Sequence, residues 1–468
     1  MVYRLTTRSS IGISLMLSVS SCKGHEGAAI HKNIKAGTLD SASAAPEGDH
    51  QTVTGSGQTP DSSLPFSQAT LPAAGQASSI ASISSSPSAS SSSSTALTVA
   101  PNPPGPVMVG RFLKDDMGYH FNWAGSRIIA KVKGVKSVTI GLTSPNIGSQ
   151  KINFNVYIDH KLQTKFITLL SNVSNNVTEL PDTEEHQIDW VKRTEAGYAN
   201  EPVTFVGITI PNGGQILSVP ALPPRRIEMI GASMTNGYGT RSDQLGIPET
   251  TSCPNDGSAE DSDLSFGAVA AHMLDAQSTI IAFQGHGILR NYPTASDPSG
   301  TAAPTVGAMW PLVLATKGNS VKGLPVYDYK DWVPDAVVIN VGTNDFAPRY
   351  GQSAASGIPD ETAFVNAYVT LLKNIRAKLP NALIVATFGT MITDAGSVPN
   401  QRTKGISFVN KAIAAVNDPK VLPMVDFGVQ AGTGQACSYH PSAATHKKMA
   451  QQLAKVLSDK LAWKIVNP

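Results

Sequence analysis

From about residue 221 to residue 468, short apolar runs alternate with longer stretches in which apolar residues recur at helical spacing. Buried strands that alternate with amphipathic helices are typical of a parallel sheet covered by helices on both faces. The predicted strands are 226–230, 278–284, 336–341, 382–388 and 421–427, and the predicted helices are 265–276, 360–378, 406–417 and 442–463. This pattern predicts a three-layer α/β domain over 221–468, with reactive groups at the carboxyl ends of its strands.

The preceding stretch, 107–220, has a different pattern. Short runs rich in β-branched and aromatic residues are separated by turn residues, as in 127–132, 152–158 and 186–191. Several of these runs alternate apolar with polar residues, which indicates strands with one buried face. The pattern predicts an all-β sandwich of about eight strands.

The first 106 residues contain two segments that are not typical of a folded domain. Residues 1–22 combine the basic Arg4 and Arg8 with a short apolar run, 11–19, as a secretion signal does. Residues 23–106 consist largely of Ser, Ala, Thr, Gly and Pro. Because so little apolar surface cannot offset the entropy of ordering the backbone, this segment is predicted to be a disordered linker.

The predicted signal ends in Val19-Ser20-Ser21-Cys22, which resembles the bacterial lipobox. The resemblance implies that Cys22 is lipidated and becomes the mature N-terminus. The protein would then be anchored in the bacterial cell envelope, in the periplasm or at the cell surface. The alternative is an ordinary signal peptide that is cleaved nearby, with an incidental cysteine. In either case we expect the protein to leave the cytoplasm.

Charge and residue spacing exclude several classes of partner. The chain has 36 basic and 34 acidic residues and no basic patch, so nucleic acid is not an expected partner. No stretch of the sequence is long and apolar enough to span a membrane. No cluster of His, Cys and Asp has metal-ligand spacing, and no glycine-rich loop resembles a phosphate cradle, so we expect no metal and no other cofactor.

Four residues able to do chemistry stand near the ends of predicted elements. The first predicted strand runs into Gly231-Ala232-Ser233, a tight turn that would lift the serine hydroxyl off the sheet. Gly285 follows the second strand, Asn344 follows the third, and His440 precedes the last helix. The carboxyl ends of parallel strands share one edge of a sheet, so these residues are expected to converge.

This combination is sufficient for acyl transfer. A histidine can take the proton of a serine and later return it to a leaving alkoxide, which makes Ser233 the candidate nucleophile and His440 the candidate base. Negative charge that develops on the carbonyl oxygen needs preorganised donors. The Ser233 N–H, the Gly285 N–H and the Asn344 side-chain amide are expected to form this oxyanion hole, with Gly287 as the second choice of glycine.

The same residues resemble a known family. Four segments are similar, in order, to the sequence blocks of the SGNH (GDSL-like) hydrolases: Gly231-Ala232-Ser233, Gly285, 342–345 and 440–442. Three more resemble the N-terminal jelly-roll domain of carbohydrate esterase family 2: Gly110-Arg111, 121–126 and 186–195. The resemblance covers about 107–463. It implies a jelly-roll domain followed by an SGNH hydrolase domain that removes acetyl groups from polysaccharides such as xylan.

Two departures from the family pattern concern the nucleophile and the base. The usual Gly-Asp-Ser is Gly-Ala-Ser here, so the carboxylate that often braces the nucleophile loop is missing at Ala232. An Asp commonly lies two or three residues before the histidine, where this chain has Ser438 and Cys437. Another group must then hold the imidazole tautomer. We predict a Ser233–His440 dyad in which His440 Nδ1 donates to a backbone carbonyl.

The two remaining cysteines flank the predicted site. Cys253 lies on the loop after the nucleophile, and Cys437 lies just before the base. In an exported protein, they are expected to form a disulfide that ties the two catalytic loops together. The alternatives are two buried free thiols, or Cys437 as the nucleophile beside His440.

Five other conspicuous residues are expected to have structural roles. His286 and His446 are interpreted as a turn residue and a helix residue, and Asp345 as a brace for its loop. Trp310 and Trp332 could stack on a sugar ring, but packing in the core or at the rim is the favoured interpretation.

The leading hypothesis is an exported serine esterase that removes O-acetyl groups from a polysaccharide, as an acetylxylan esterase does, through a covalent acetyl-serine intermediate. A lipase or thioesterase on the same scaffold is a second enzymatic possibility. A catalytically inactive, carbohydrate-binding lipoprotein, in which the jelly roll binds glycan, is a possibility of a different class.

Overall fold

The structure is a computed structural model that describes residues 103–467, apart from 145–146, 148–149, 170–174, 199–201, 396–397, 399 and 431–433. The predicted signal sequence, Cys22 and nearly all of the predicted linker lie outside the described residues, so their assignments stay predictions. Within the described residues, no helix has the length and apolar character needed to cross a membrane.

The first part of the described chain forms two antiparallel sheets. Its strands are β1 (Val107–Val109), β2 (Leu113–Asp115), β3 (Gly118–Phe121), β4 (Arg127–Lys133), β5 (Ser137–Thr143), β6 (Ile152–Ile158), β7 (Lys161–Leu162), β8 (Ile167–Leu169), β9 (Asn175–Glu179), β10 (His186–Lys192), β11 (Val203–Thr209) and β12 (Gln215–Leu217). One sheet has the order β1-β4-β10-β6-β7, with β12 beside β4 and β8 beside β6. The other has the order β2-β3-β11-β5-β9.

One apolar core lies between these sheets. Ile128, Ala130 and Val132 alternate along β4 and are fully buried in it. Ile140 and Leu142 of β5 pack into the same core. The predicted all-β sandwich is therefore confirmed, although the described residues contain twelve strands where about eight were predicted. Five of the twelve strands have only two or three residues each, which is too short for an alternating pattern to be visible in sequence.

The second part is an α/β domain with a parallel sheet. Its strands are β13 (Arg225–Gly231), β14 (Ala276–Ala282), β15 (Ala336–Asn340), β16 (Leu383–Phe388) and β17 (Val425–Asp426). Its helices are α1 (Ser233–Asn236), α2 (Ser242–Leu245), α3 (Phe266–Met273), α4 (Val306–Met309), α5 (Glu361–Lys378), α6 (Gln401–Val416) and α7 (Ala443–Leu461). The sheet order is β14-β13-β15-β16-β17, and every neighbouring pair in it is parallel.

Each face of this sheet is covered by a helical layer. Val337 and Ile339 of β15 pack in a core that includes Tyr368 and Leu372 of α5. The intervening Val338 packs on the opposite face, in a core shared with α3 and α7. The alternate residues of one buried strand thus serve two cores, and the predicted three-layer α/β domain is confirmed.

The boundaries that differ most from the prediction are the starts of the last strand and of the third long helix. The last strand was predicted over 421–427 but is only Val425–Asp426, because Pro423 has no N–H to donate to a strand ladder. The third long helix begins at Gln401, where the prediction began at 406. Its first turn is polar, and the buried Arg402 there donates to Asp426, so apolar spacing does not reveal this turn.

Buried polar contacts join the β-sandwich to the α/β domain. Arg111, which is 1% exposed, donates to a Glu228 carboxylate oxygen at 3.0 Å and to the Leu312 carbonyl oxygen at 2.7 Å. Trp123 Nε1 donates to the Val313 carbonyl oxygen at 2.9 Å. These groups are buried and paired across the boundary, so separating the two domains would break an ion pair and two hydrogen bonds that are shielded from water.

Candidate active site

The predicted nucleophile lies at the turn between β13 and α1. The strand ends at Gly231, and Ser233 is the first residue of the helix. A Cβ atom at position 231 would lie 1.9 Å from Thr235 Oγ1 and 2.9 Å from the Asn340 carbonyl oxygen, so glycine alone fits this turn. Ser233 is 8% exposed, at the carboxyl edge of the sheet.

His440 lies against this serine. Its Nε2 is 2.9 Å from Ser233 Oγ, and its Nδ1 is 3.1 Å from the Ser438 carbonyl oxygen. A carbonyl only accepts hydrogen bonds, so Nδ1 carries the proton and Nε2 is free to accept one from the serine. Among the described residues, no carboxylate forms an ion pair or a hydrogen bond with this imidazole.

The surroundings of His440 favour its neutral form. Burial lowers the pKa of the imidazole to about 4, and the hydrogen bond from Nδ1 to Ser438 opposes this shift only in part. The Tyr238 ring packs edge-on against the imidazole, with 4.7 Å between the ring centroids. His440 is therefore an unprotonated acceptor for the Ser233 hydroxyl over a wide range of pH.

Three donors lie on the loops around the serine. Ser233 begins α1, and Gly285 has a φ of +74°, the left-handed conformation that glycine adopts most readily. Neither backbone N–H has a hydrogen-bond partner among the described residues. The Gly287 N–H, in contrast, donates to Asn291 Oδ1 at 3.2 Å, which leaves Gly285 as the available glycine.

The side-chain donor is held on one side and open on the other. Asn344 Nδ2 donates to the His286 carbonyl oxygen at 2.8 Å, so the second amide hydrogen remains for a ligand. Asp345 accepts the backbone N–H groups of Leu289 and Arg290 at 2.7 and 2.9 Å. Asp345 therefore braces the loop that follows Gly285, whereas it was expected to brace its own loop. Burial raises the pKa of Asp345 to about 6.

The structure has a disulfide between Cys253 and Cys437, with Cα atoms 5.0 Å apart. It connects the chain after the nucleophile to the turn that carries the base. Ser242 Oγ packs 3.0 Å from Cys437 Sγ and accepts the Cys437 N–H at 3.1 Å. A disulfide sulfur cannot act as a thiolate, so this state leaves no place for Cys437 as the nucleophile.

Family models match both folded parts of the chain. Residues 108–220 match the model for the carbohydrate esterase 2 N-terminal domain, and residues 227–453 match the model for GDSL-like lipase/acylhydrolase. The chain belongs with the family 2 carbohydrate esterases. These matches confirm the resemblance to family 2 that the sequence motifs indicated. They also confirm the predicted order of a β-sandwich domain followed by an SGNH hydrolase domain.

Individual relatives agree with this assignment. The cellulase/esterase CelE of Acetivibrio thermocellus is 31% identical over 370 residues, which are 77% of this chain but only 40% of CelE. An acetylxylan esterase/glucomannan deacetylase of Cellvibrio japonicus is 24% identical over 368 residues, 78% of this chain and 92% of that enzyme. The solved structure of a family two carbohydrate esterase from Clostridium thermocellum in complex with cellohexaose has a TM-score of 0.63 and 27% identity, and the match covers 77% of this chain and 100% of that one.

The other conspicuous residues of this family 2 esterase lie away from the nucleophile or support its loops. Trp310 and Trp332 are 1% and 7% exposed, so neither offers a face to a sugar. His446 is fully buried on α7, and burial lowers its pKa to about 3. His286 is half-buried beside Phe283, with ring centroids 4.4 Å apart. Among the described residues, no group of three or more His, Cys, Asp or Glu is arranged to hold a metal ion.

Sequence reasoning missed two residues that touch the site. Tyr238, whose ring packs on His440, had no signal beyond its place five residues after the nucleophile. Glu195 lies in the β-sandwich domain, at the end of the 186–195 segment that carried the family resemblance. Its carboxylate reaches the turn before Gly285, a contact between domains that no local pattern could indicate.

Proposed function

We propose that this protein is an exported serine esterase that removes O-acetyl groups from a polysaccharide. The single observation that supports this best is the 2.9 Å contact between Ser233 Oγ and His440 Nε2, beside the donors of Gly285 and Asn344. Nucleophile, base and oxyanion donors are the parts that hydrolysis of an ester requires. The matched relatives whose names include carbohydrate esterase and acetylxylan esterase support the choice of substrate.

The reaction begins with acylation. His440 Nε2 accepts the proton of Ser233 as Oγ attacks the acetyl carbonyl carbon. Negative charge moves to the carbonyl oxygen, where the N–H groups of Ser233 and Gly285 and the Asn344 amide stabilise it. The imidazolium keeps its Nδ1–H on the Ser438 carbonyl, which holds the ring in place through the step.

Collapse of this tetrahedral intermediate breaks the bond to the sugar oxygen. The imidazolium donates its Nε2 proton to that oxygen, so the sugar leaves as an alcohol and the acetyl group stays on Ser233. A water molecule then gives its proton to His440 and attacks the acetyl carbon in the same donor environment. The bond between the acetyl carbon and Ser233 Oγ then breaks, Oγ takes the proton back from His440, and acetic acid leaves and loses its remaining acidic proton to water.

Two exposed tyrosines beside the site support a carbohydrate substrate. Tyr439 is 53% exposed and directly precedes His440, and Tyr292, which is 57% exposed, donates its backbone N–H to the Gly285 carbonyl oxygen. Exposed aromatic faces offer apolar area to sugar rings at low entropic cost. We infer that they bind the polysaccharide on either side of the reacting acetyl group.

Export and lipid anchoring at Cys22 are part of the proposal. The basic and apolar start of the chain and its lipobox-like end support export, and the pairing of Cys253 with Cys437 suits an oxidising compartment. Labelling cells with a radioactive fatty acid is the test. We expect label on the wild type and none on Cys22→Ser, and an unlabelled wild type would rule out the anchor.

The activity test compares the wild type with Ser233→Ala and His440→Ala. Acetate release from 4-nitrophenyl acetate and from acetylated xylan should fall by about 10⁴-fold or more in both variants. Rates on 4-nitrophenyl esters should fall as the acyl chain lengthens from acetyl to octanoyl, and a preference for octanoyl would favour a lipase. A folded wild type that binds glycan but is no faster than Ser233→Ala would instead indicate an inactive binding protein.

A further inference from the structure

Glu195 is a carboxylate of the β-sandwich domain that reaches the site of the neighbouring domain. It follows β10 by three residues and is 4% exposed. Its Oε2 accepts the backbone N–H of Gln284 at 2.6 Å and Asn236 Nδ2 at 2.8 Å. Gln284 directly precedes Gly285, and Asn236 is the last residue of the helix that Ser233 begins. One buried oxygen therefore binds both loops that supply backbone oxyanion donors.

A chain of hydrogen bonds continues from this carboxylate. The Gln284 carbonyl oxygen accepts from His286 Nδ1 at 2.8 Å, and the His286 carbonyl oxygen accepts from Asn344 Nδ2 at 2.8 Å. In a trans peptide, the N–H points away from the C=O that precedes it. Fixing the Gln284 carbonyl on His286 thus fixes the direction of the Gly285 N–H. The contacts run from Glu195 to both Gly285 and Asn344.

We propose that Glu195 is a positioning residue for the oxyanion hole, so that the β-sandwich domain takes part in the esterase reaction. This inference rests on the proposed function and adds a contribution from a second domain. Glu195 touches no reacting atom. It acts by holding the peptide that carries the Gly285 N–H and, through Asn236, the helix that begins at Ser233.

The local structure accommodates the carboxylate at some cost. Lys192 is buried nearby, but its Nζ donates to the carbonyl oxygens of Thr194 and Glu195, not to the carboxylate. A Cβ atom on Gly197 would lie 2.7 Å from Glu195 Oε1, so glycine makes room for it. Burial raises the pKa of Glu195 to about 7. Among the described residues, no Lys or Arg forms an ion pair with the Glu195 carboxylate, and its hydrogen bonds go to the site loops. A buried carboxylate held in this way is a costly means of stabilising a structure.

The contact between the domains at Glu228 provides the comparison. Glu228 is also a fully buried carboxylate at the domain boundary, and it pairs with Arg111 at 3.0 Å and with Trp310 Nε1 at 2.7 Å. Its partners lie on neither the Gly285 loop nor α1. Removing charge at Glu228 should therefore affect stability alone, while changes at Glu195 should affect turnover.

The test measures kcat, KM and Tm for Glu195→Ala, Glu195→Asp, Glu195→Gln and Glu228→Gln, with wild type and Ser233→Ala as references. For Glu195→Ala we expect kcat on 4-nitrophenyl acetate to fall about 10- to 100-fold, with KM within about twofold, because a displaced donor acts in the transition state. In Glu195→Asp the side chain is shorter by one methylene group, so the carboxylate oxygen is withdrawn from its donors, and kcat should fall about tenfold. Glu195→Gln keeps an acceptor oxygen for both donors and should stay within about threefold of wild type. Glu228→Gln should lower Tm and leave kcat unchanged.

Three results would overturn the proposal. One is a folded Glu195→Ala with kcat within about twofold of wild type, and another is an equal loss of kcat in Glu228→Gln. If Glu195→Ala does not fold, an unchanged kcat in Glu195→Asp has the same meaning. Failure of the proposed function is distinct, because the wild type itself would then be no faster than Ser233→Ala.

Discussion

The pH dependence of turnover tests the dyad most directly. His440 must be unprotonated to accept the Ser233 proton, so activity is lost as the pH falls through the pKa of the imidazole in the free enzyme. Burial lowers this pKa from 6.5 to about 4, and the hydrogen bond to the Ser438 carbonyl raises it only in part. A carboxylate partner would have raised it further. The acid limb of kcat/KM should therefore lie well below the usual range for histidine.

The expected difference is large in weakly acidic solution. At pH 5.5, an imidazole with a pKa of 6.5 is about 9% neutral, whereas one with a pKa of about 4 is about 97% neutral. The enzyme should thus keep nearly all of its kcat/KM at pH 5.5, about tenfold more than an unperturbed histidine base would allow. Acetate release from 4-nitrophenyl acetate is the suitable assay, because this substrate does not titrate and the acetate signal does not depend on the ionisation of 4-nitrophenol.

Three variants identify the cause of the lowered pKa of His440. Glu195 is a second titratable group beside the site, with a pKa raised to about 7, and Glu195→Gln removes its titration from the profile. Tyr238→Ala opens the imidazole to water and should move the acid limb upward, whereas Tyr238→Phe keeps the ring contact and should leave it in place. An acid limb at pH 6 or above in Glu195→Gln would refute the account of a desolvated base without a carboxylate.

Two further predictions concern the loops. Asn344→Ala removes one oxyanion donor and should lower kcat about 100-fold with little change in KM; a loss below about threefold would show that Asn344 gives no transition-state stabilisation. The disulfide closes a loop with a sequence separation of 184 residues, so the chain-entropy model gives about 5 kcal/mol of stabilisation. Urea unfolding of the double variant Cys253→Ala/Cys437→Ala should show most of this loss, and a change below about 1 kcal/mol would contradict that model.

The fold could be predicted from sequence where patterns are long and local. Strand β15 is an almost continuous apolar run, β13 is apolar at Ile227, Met229 and Ile230, and α5 has its apolar residues at helical spacing. The positions of these elements differed from the prediction by one residue or less at each end. Strand β17 and the first turn of α6 were misjudged. Strand β17 is short because Pro423 cannot donate to the ladder, and the first turn of α6 is polar because its Arg402 donates to the distant Asp426.

The residues of the site also divide into those that a local sequence pattern reveals and those that it does not. Ser233, Gly285, Asn344 and His440 each stand at a turn with its own local signal, and the parallel sheet brings these turns to one edge. Glu195 has no such signal, because its partners lie 41 and 89 residues away in another domain. A sequence pattern can show which turns meet at a sheet edge, but it cannot show which side chain of another domain packs behind them.

The turn at 437–440 supplies a backbone carbonyl in place of the absent triad carboxylate. Ser438 and Tyr439 both have positive φ values, of 54° and 57°, a conformation that costs non-glycine residues of the order of 1–3 kcal/mol each. The turn is held by the Cys437 disulfide and by the Ser438 N–H, which donates to the Thr251 carbonyl oxygen at 2.8 Å. This backbone directs the Ser438 carbonyl at His440 Nδ1, where a carboxylate would otherwise stand. A carbonyl fixes the tautomer but gives the imidazolium only a dipole, so the same turn that orients the base also leaves its pKa low.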